Sequence, residues 1–208
     1  MKQKVVIGFV GSQLDSGVGS GRWEKWRPTV SLTQHDDLVI DRLVLFYDRK
    51  YQSLLQVVTD DIASVSPETE VSPVEMAIAD PWDFGQVYAA LFDFAAQYPF
   101  DTEREDYWIH ITTGTHVAQI CLFLMVEARY FPGVLLQTSP PRKQKSGMVG
   151  SYALIDLDLS HYDAITGKPG GHQSARGGRS PLSYRWVGLY LPRLSRAAAA
   201  DAQKRRPA

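Results

Sequence analysis

Cysteine is almost missing from this chain of 208 residues: Cys121 is the only one. One thiol forms no intramolecular disulfide and no multi-cysteine metal site. It sits in an apolar run, where a small core residue is the expected role. Nowhere does such a run approach the roughly 20 residues that span a bilayer, and no signal-peptide pattern opens the chain. No membrane partner and a cytoplasmic location are therefore expected. The phosphate-binding pattern Gly-x-x-x-x-Gly-Lys-Ser/Thr is also missing, because the one Gly-Lys pair, Gly167-Lys168, runs into Pro169. ATP hydrolysis by that route is excluded.

Acidic residues are scarce in one part of the chain only. From Gly167 onward nine Lys or Arg face a single acid, Asp201, whereas residues 1–166 hold 13 basic and 22 acidic residues. The overall charge of −1 thus conceals an acidic body and a basic, Gly- and Ala-rich tail. Such a composition predicts a poorly ordered extension over residues 166–208 and a folded domain over residues 1–165.

The body alternates strand and helix patterns. Apolar, β-branched runs predict strands at 4–10, 41–47, 70–78, 107–112, 134–138 and 152–157. Pro73 places the third of these at a sheet edge or a bulge. Helices are expected near 27–34, with Pro28 in the first turn, at 51–64, from the Asp80-Pro81-Trp82 turn to about 98, and over 115–130. This order predicts an α/β fold, a Rossmann-like, open, mainly parallel six-stranded sheet with helices on both faces. Between Val117 and Val126 only Gln119 is polar, so a second layer must cover that helix: neighbouring helices or a second copy of the chain.

The stretch from Tyr107 to Val117 carries the main functional signal. A buried strand gives way to Thr112-Thr113-Gly114-Thr115-His116 and then to a long helix. Such a turn offers unpaired backbone N–H groups, hydroxyls and the positive end of a helix dipole, which suit a phosphate. A threonine that merely caps the helix is the plain alternative. In a doubly wound sheet this turn faces the loop after the first strand, where Gly11, Ser12, Asp15 and Ser16 lie. The candidate ligand-binding residues are therefore Gly11, Ser12, Asp15, Ser16, His110, Thr112, Thr113, Gly114, Thr115, His116 and Arg142. The loops at 48–50, 80–83 and 138–142 share that rim. Arg22, Arg27, Arg142 and Lys143 are candidate cations, and Trp23 and Trp26 either stack on bases or fasten their loop to the core. No metal site, cofactor or catalytic residue is expected.

Several runs then resemble a known family. They include Gly8-Phe9-x-Gly11, Arg22-Trp23-x-x-Trp26-Arg27-Pro28, Asp80-Pro81-Trp82-Asp83-Phe84, His110 through Cys121, and Leu135-Leu136-Gln137-Thr138-Ser139-Pro140-Pro141. Over residues 3–165 the chain is similar to RtcR-type regulators, sigma-54-dependent activators of an RNA-repair operon. The resemblance implies an N-terminal CARF sensor domain and an RNA ligand with a phosphate terminus, namely a tRNA fragment ending in a 2′,3′-cyclic phosphate. It also implies a homodimer. CRISPR-associated relatives bind cyclic oligoadenylates through Asp/Asn-x-Ser/Thr-x-x-x-Arg/Lys after the fourth strand. Here that pattern falls on His110, Thr112 and His116, and only Thr112 matches. The ATPase and DNA-binding portions of the family have no counterpart in this sequence, so no direct promoter binding by this chain is expected.

Other chemistries fit less well. Gly17-Val18-Gly19-Ser20-Gly21 is not the dinucleotide fingerprint and lies beyond the strand end. His110-Ile111-Thr112 matches half of a two-histidine phosphodiesterase, whose second motif has only His172-Gln173-Ser174 as a candidate. The alternatives to an RNA-end sensor are a cyclic-oligonucleotide sensor and a weak ring nuclease or cyclic phosphodiesterase.

Overall fold

A computed structural model describes residues 2–17, 19–141 and 149–155. The tail from 166 onward and Arg142 and Lys143 therefore lie outside the described residues. Six strands form one sheet: β1 (Gln3–Phe9), β2 (Arg42–Tyr47), β3 (Glu70–Glu75), β4 (Glu105–His110), β5 (Gly133–Ser139) and β6 (Ser151–Ile155), in the order β3-β2-β1-β4-β5-β6. All neighbours run parallel except β5 and β6, which pair antiparallel. Among the described residues four α-helices, α1 (Pro28–Leu32), α2 (Gln52–Val65), α3 (Phe84–Gln97) and α4 (His116–Glu127), join them. The expected α/β sheet is observed, with six strands in the expected order along the chain.

The central strands are apolar on both sides because both sides are covered. One core joins Val5, Ile7, Phe46 and Ile109 of the sheet to Leu91 of α3 and to Leu122 and Met125 of α4. The other joins Val6, Leu43 and Leu45 to Leu32 of α1 and to Val58 and Ile62 of α2. Pro73 lies in β3, which among the described residues is an edge strand paired only with β2, where a missing N–H costs no ladder bond.

Most boundaries shift by one to three residues from expectation, and for two of them the local reason is visible. β4 ends at His110 rather than at 112, because the Thr112 side chain takes over the pairing with β5. Its Oγ1 accepts from the Thr138 amide at 2.7 Å and donates to the Thr138 carbonyl at 3.3 Å. α4 stops at Glu127, where Arg129 turns left-handed (φ 61°) and the Tyr130 amide donates back to the Met125 carbonyl.

α4 uses its apolar surface unevenly. Ala118, Cys121, Leu122 and Met125 are buried against the sheet and α3, with Cys121 in the core role expected of it. Ile120 and Phe123 remain 50% and 38% exposed.

Candidate functional site

Strand order reverses between β1 and β4, so the loops leaving these two strands part to opposite sides and leave a crevice at the carboxyl edge. A cavity of about 350 Å³ opens there. Its floor is apolar: Phe9, Phe46, Met76, Val87 and Ala118. The rim comes from four loops. Ser12 and Gln13 follow β1, and Asp48, Lys50 and Tyr51 follow β2. Pro81 and Trp82 follow β3, and Gly114 and Thr115 follow β4.

The turn after β4 is held in place by its own threonines. Thr113 is buried, and its hydroxyl donates to the Phe9 carbonyl at 2.6 Å, tying the turn to the end of β1. Thr115 is the N-cap of α4, with Oγ1 accepting from the Ala118 amide at 3.1 Å and donating to the Pro81 carbonyl at 2.9 Å. One hydroxyl thus caps the helix and anchors the β3–α3 turn. Between these threonines Gly114 is exposed at φ 86°, a left-handed conformation that favours glycine. The amides of His116 and Val117, at the first two positions of α4, have no partner among the described residues.

The loop after β1 is clamped from beneath. Asp15 is fully buried and accepts from the Gly11 amide at 2.7 Å, the Thr29 amide at 3.0 Å and the Thr29 hydroxyl at 2.5 Å. Burial raises its pKa, while the Thr29 and Gly11 donors and nearby Arg27 oppose the rise. A Cβ on Gly11 would lie 2.7 Å from the Asp15 carboxylate, so this approach requires glycine. Ser16 donates to the Gln13 carbonyl at 2.6 Å and closes the turn.

The candidate residues therefore separate into two groups. Ser12, Gly114 and Thr115 line the cavity, and exposed His116 stands beside it with its ring edge-on to Trp82 at 5.0 Å. Gly11, Asp15 and Thr113 lie beneath the wall rather than in it. His110 is 1% exposed, with Nε2 at 3.0 Å from the Thr138 hydroxyl, and burial holds its pKa down at about 4. It is uncharged near neutrality. Thr112 faces Thr138 and Ser16 its own turn.

The two candidate cations with described positions are already engaged. Arg22 makes two bonds to Asp61, at 2.8 and 2.7 Å, and Arg27 makes a third at 2.6 Å. A buried carboxylate on α2 holds both, which sequence spacing of 34 and 39 positions gave no reason to expect. Trp26 is half-buried and its Nε1 has no partner among the described residues, while Trp23 is more exposed and lies near the Arg22 guanidinium. Neither lines the cavity. Tyr51 and Gln13 do, although neither stood out in the sequence. No group of three or more His, Cys, Asp or Glu among the described residues is arranged to hold a metal.

A family profile described as "Regulator of RNA terminal phosphate cyclase" (RtcR) matches residues 2–176. The transcriptional regulatory protein RtcR of Escherichia coli strain K12 is 57% identical over 170 residues, 81% of this chain and 32% of that protein. The chain thus spans about a third of the length of this relative. Among solved structures, Enterococcus italicus Csm6, bound to cyclic hexa-2′-fluoro-hexa-dAMP, matches 79% of this chain and 45% of its own with a TM-score of 0.57 at 14% identity. Can2 from Sulfobacillus thermosulfidooxidans, in complex with cyclic tetra-adenylate, matches 66% of this chain and 32% of its own with a TM-score of 0.43 at 13% identity. At 14% identity, what is shared with Csm6 is the fold.

Proposed function

This chain belongs to the family of regulators of RNA terminal phosphate cyclase, and on that premise we propose that it is the ligand-sensing domain of an RNA-repair transcription activator. The ligand is an RNA end, a tRNA fragment carrying a 2′,3′-cyclic phosphate. The observation that carries this reading is the cavity at the reversal of strand order, bounded by Ser12 and Gln13 on one side and by Gly114 and Thr115 on the other. The free amides at the start of α4 and the exposed His116 imidazole, next in the chain to Gly114 and Thr115, support a phosphate site beside that cavity. Sensing, rather than catalysis or promoter contact, is the role assigned. His110, the histidine of the half-motif, is buried and uncharged near neutrality, so it is poorly placed to move protons on a bound ligand.

A thermal-shift series tests the reading, using short RNAs with cyclic-phosphate, linear-phosphate and hydroxyl ends together with cyclic oligoadenylates. The cyclic-phosphate RNA is expected to stabilise the protein selectively and to be recovered intact. His116→Ala should weaken that binding by about 1.5–3 kcal/mol, the scale of a hydrogen bond to a charged group. Selective stabilisation by a cyclic oligoadenylate would transfer the site to a cyclic-oligonucleotide sensor, and turnover of the RNA would make it an enzyme.

The domain is further proposed to work as a homodimer through α3 and α4. Phe84, Tyr88 and Phe92 stand four residues apart along α3, and Ile120 and Phe123 lie on the helix beside it. Four of these five are exposed large apolar side chains, and Tyr88 is half-buried. So many exposed large apolar side chains on two adjacent helices suit a surface covered by a second copy. Sedimentation is expected to show a monomer–dimer equilibrium that Phe123→Glu shifts to monomer. A concentration-independent monomer in the unmodified protein would refute this assembly.

A further inference from the structure

The cavity contains more than a phosphate site needs. Its two exposed aromatic residues belong to loops far apart in sequence, and both loops are pinned. Trp82 is 60% exposed, unusual for so large an apolar ring. Its amide donates to the Asp80 carboxylate at 2.9 Å, the preceding Pro81 carbonyl accepts from Thr115, and its ring rests against His116. Tyr51 closes a single 3-10 turn begun by Asp48. The Asp48 carbonyl accepts from the Tyr51 amide at 2.7 Å, and its carboxylate accepts from the Lys50 amide at 2.9 Å. Lys50 lies 3.0 Å from the Asp48 carboxylate and over the Tyr51 ring at 5.2 Å.

Pinning the backbone while leaving a ring in water contributes little to the fold. It does prepare a flat apolar surface for a planar partner. The volume, about 350 Å³, is near the low end for small-ligand sites and enough for one nucleoside. Polar groups stand at the rim: the Ser12 and Thr115 hydroxyls, the Gln13 amide and the paired Asp48 carboxylate and Lys50 ammonium. An apolar floor, aromatic rings at the mouth and amide-type donors and acceptors at the edge match the faces and edge of a nucleobase.

Building on the RNA-end reading, we infer that this cavity binds one base of the RNA, the terminal one, with Trp82 and Tyr51 as base-binding residues. The phosphate then sits at the neighbouring turn around Gly114 and His116. Recognition has two parts: a phosphate contact common to all RNA ends, and a base contact that selects among them. Trp82 and Tyr51 are specificity-determining in this scheme, and the polar rim sets which base is preferred.

The test uses nucleoside 2′,3′-cyclic monophosphates of the four bases, ribose 2′,3′-cyclic phosphate without a base, and a short cyclic-phosphate RNA. All are titrated into the full chain, its Trp82→Ala and Tyr51→Ala variants, and Trp82→Phe. Both Ala variants should lose roughly 5- to 150-fold in affinity for the RNA and the nucleotides, the range for one stacked base. Trp82→Phe should retain most of it, and the baseless probe should bind weakly and equally to all four proteins. Both rings are exposed, so folding is expected to be intact, and thermal unfolding without ligand checks it. If the protein binds the RNA and both Ala variants bind it equally well, the base pocket is refuted while the RNA-end reading stands. If the unmodified protein binds none of the probes, both fall.

Discussion

Asp61→Ala is expected to lower folding stability by about 3–5 kcal/mol, the cost of removing one partner from a buried ion pair. Asp61 is 2% exposed and Arg27 is 3% exposed, so the lost carboxylate leaves a guanidinium that water does not reach. Burial alone would raise the Asp61 pKa, but the Arg22 and Arg27 hydrogen bonds outweigh it and hold it below the ordinary range. Among the described residues Arg27 has no reserve partner, since its Nη2 is already unpaired there and its Nε is committed to the Asp15 carbonyl at 3.0 Å. Because that last bond reaches the loop after β1, the substitution should also loosen Ser12 and Gln13 at the cavity rim. Urea unfolding of the two proteins at neutral pH measures the effect. Arg22→Ala should cost far less, because Arg22 is partly exposed and leaves the buried Arg27–Asp61 pair whole. A loss below 1 kcal/mol for Asp61→Ala would show that the three-residue cluster is not what holds the loop.

The second large effect is a dependence of stability on acid. In the unfolded chain His110 takes up a proton near pH 6.5, whereas in the fold burial delays this to about 4. Between those values the unfolded chain holds the extra proton, so stability is complete above about pH 6.5 and declines as pH falls towards 4. The difference of about 2.5 pKa units corresponds to roughly 3 kcal/mol. Asp15 acts in the opposite sense, since its raised pKa lets the fold hold a proton that the unfolded chain gives up. Only the comparison with a variant therefore isolates the histidine. His110→Gln keeps a polar group for the Thr138 hydroxyl and removes the titration. Unfolding at intervals from pH 4 to pH 7 is expected to show a shallower slope for the variant. Parallel slopes would mean that His110 ionises freely in the fold.

His110 also shows how far sequence patterns carry. Its position at the end of a strand before a threonine-rich turn reads equally as a motif residue and as a core residue. Tertiary pairing separates the two, because the partner hydroxyl comes from Thr138 on the next strand. The same holds for Thr113, whose hydroxyl meets a carbonyl 104 positions away. A threonine facing water and one facing a distant carbonyl have the same local sequence.

Properties set by neighbouring residues were legible from the chain alone. Apolar runs of strand length define the sheet, since a strand buried on both faces leaves no room for polar alternation. Pro73, with no N–H to donate, limits β3 to an edge or a bulge, and a threonine before an apolar helix is expected to cap it; the fold selects the edge and Thr115 over Thr113. Even the crevice between the loops after β1 and β4 follows from the alternation of strands and helices. The inward or outward direction of each polar side chain in those loops followed from the folded chain alone. Asp15 found its donors on Thr29, Arg22 and Arg27 found Asp61, and Trp82 and Tyr51 were left at the mouth of one cavity. The reason is physical: a buried polar group settles where its hydrogen bonds are met, and those partners come from wherever the sheet brings the chain back.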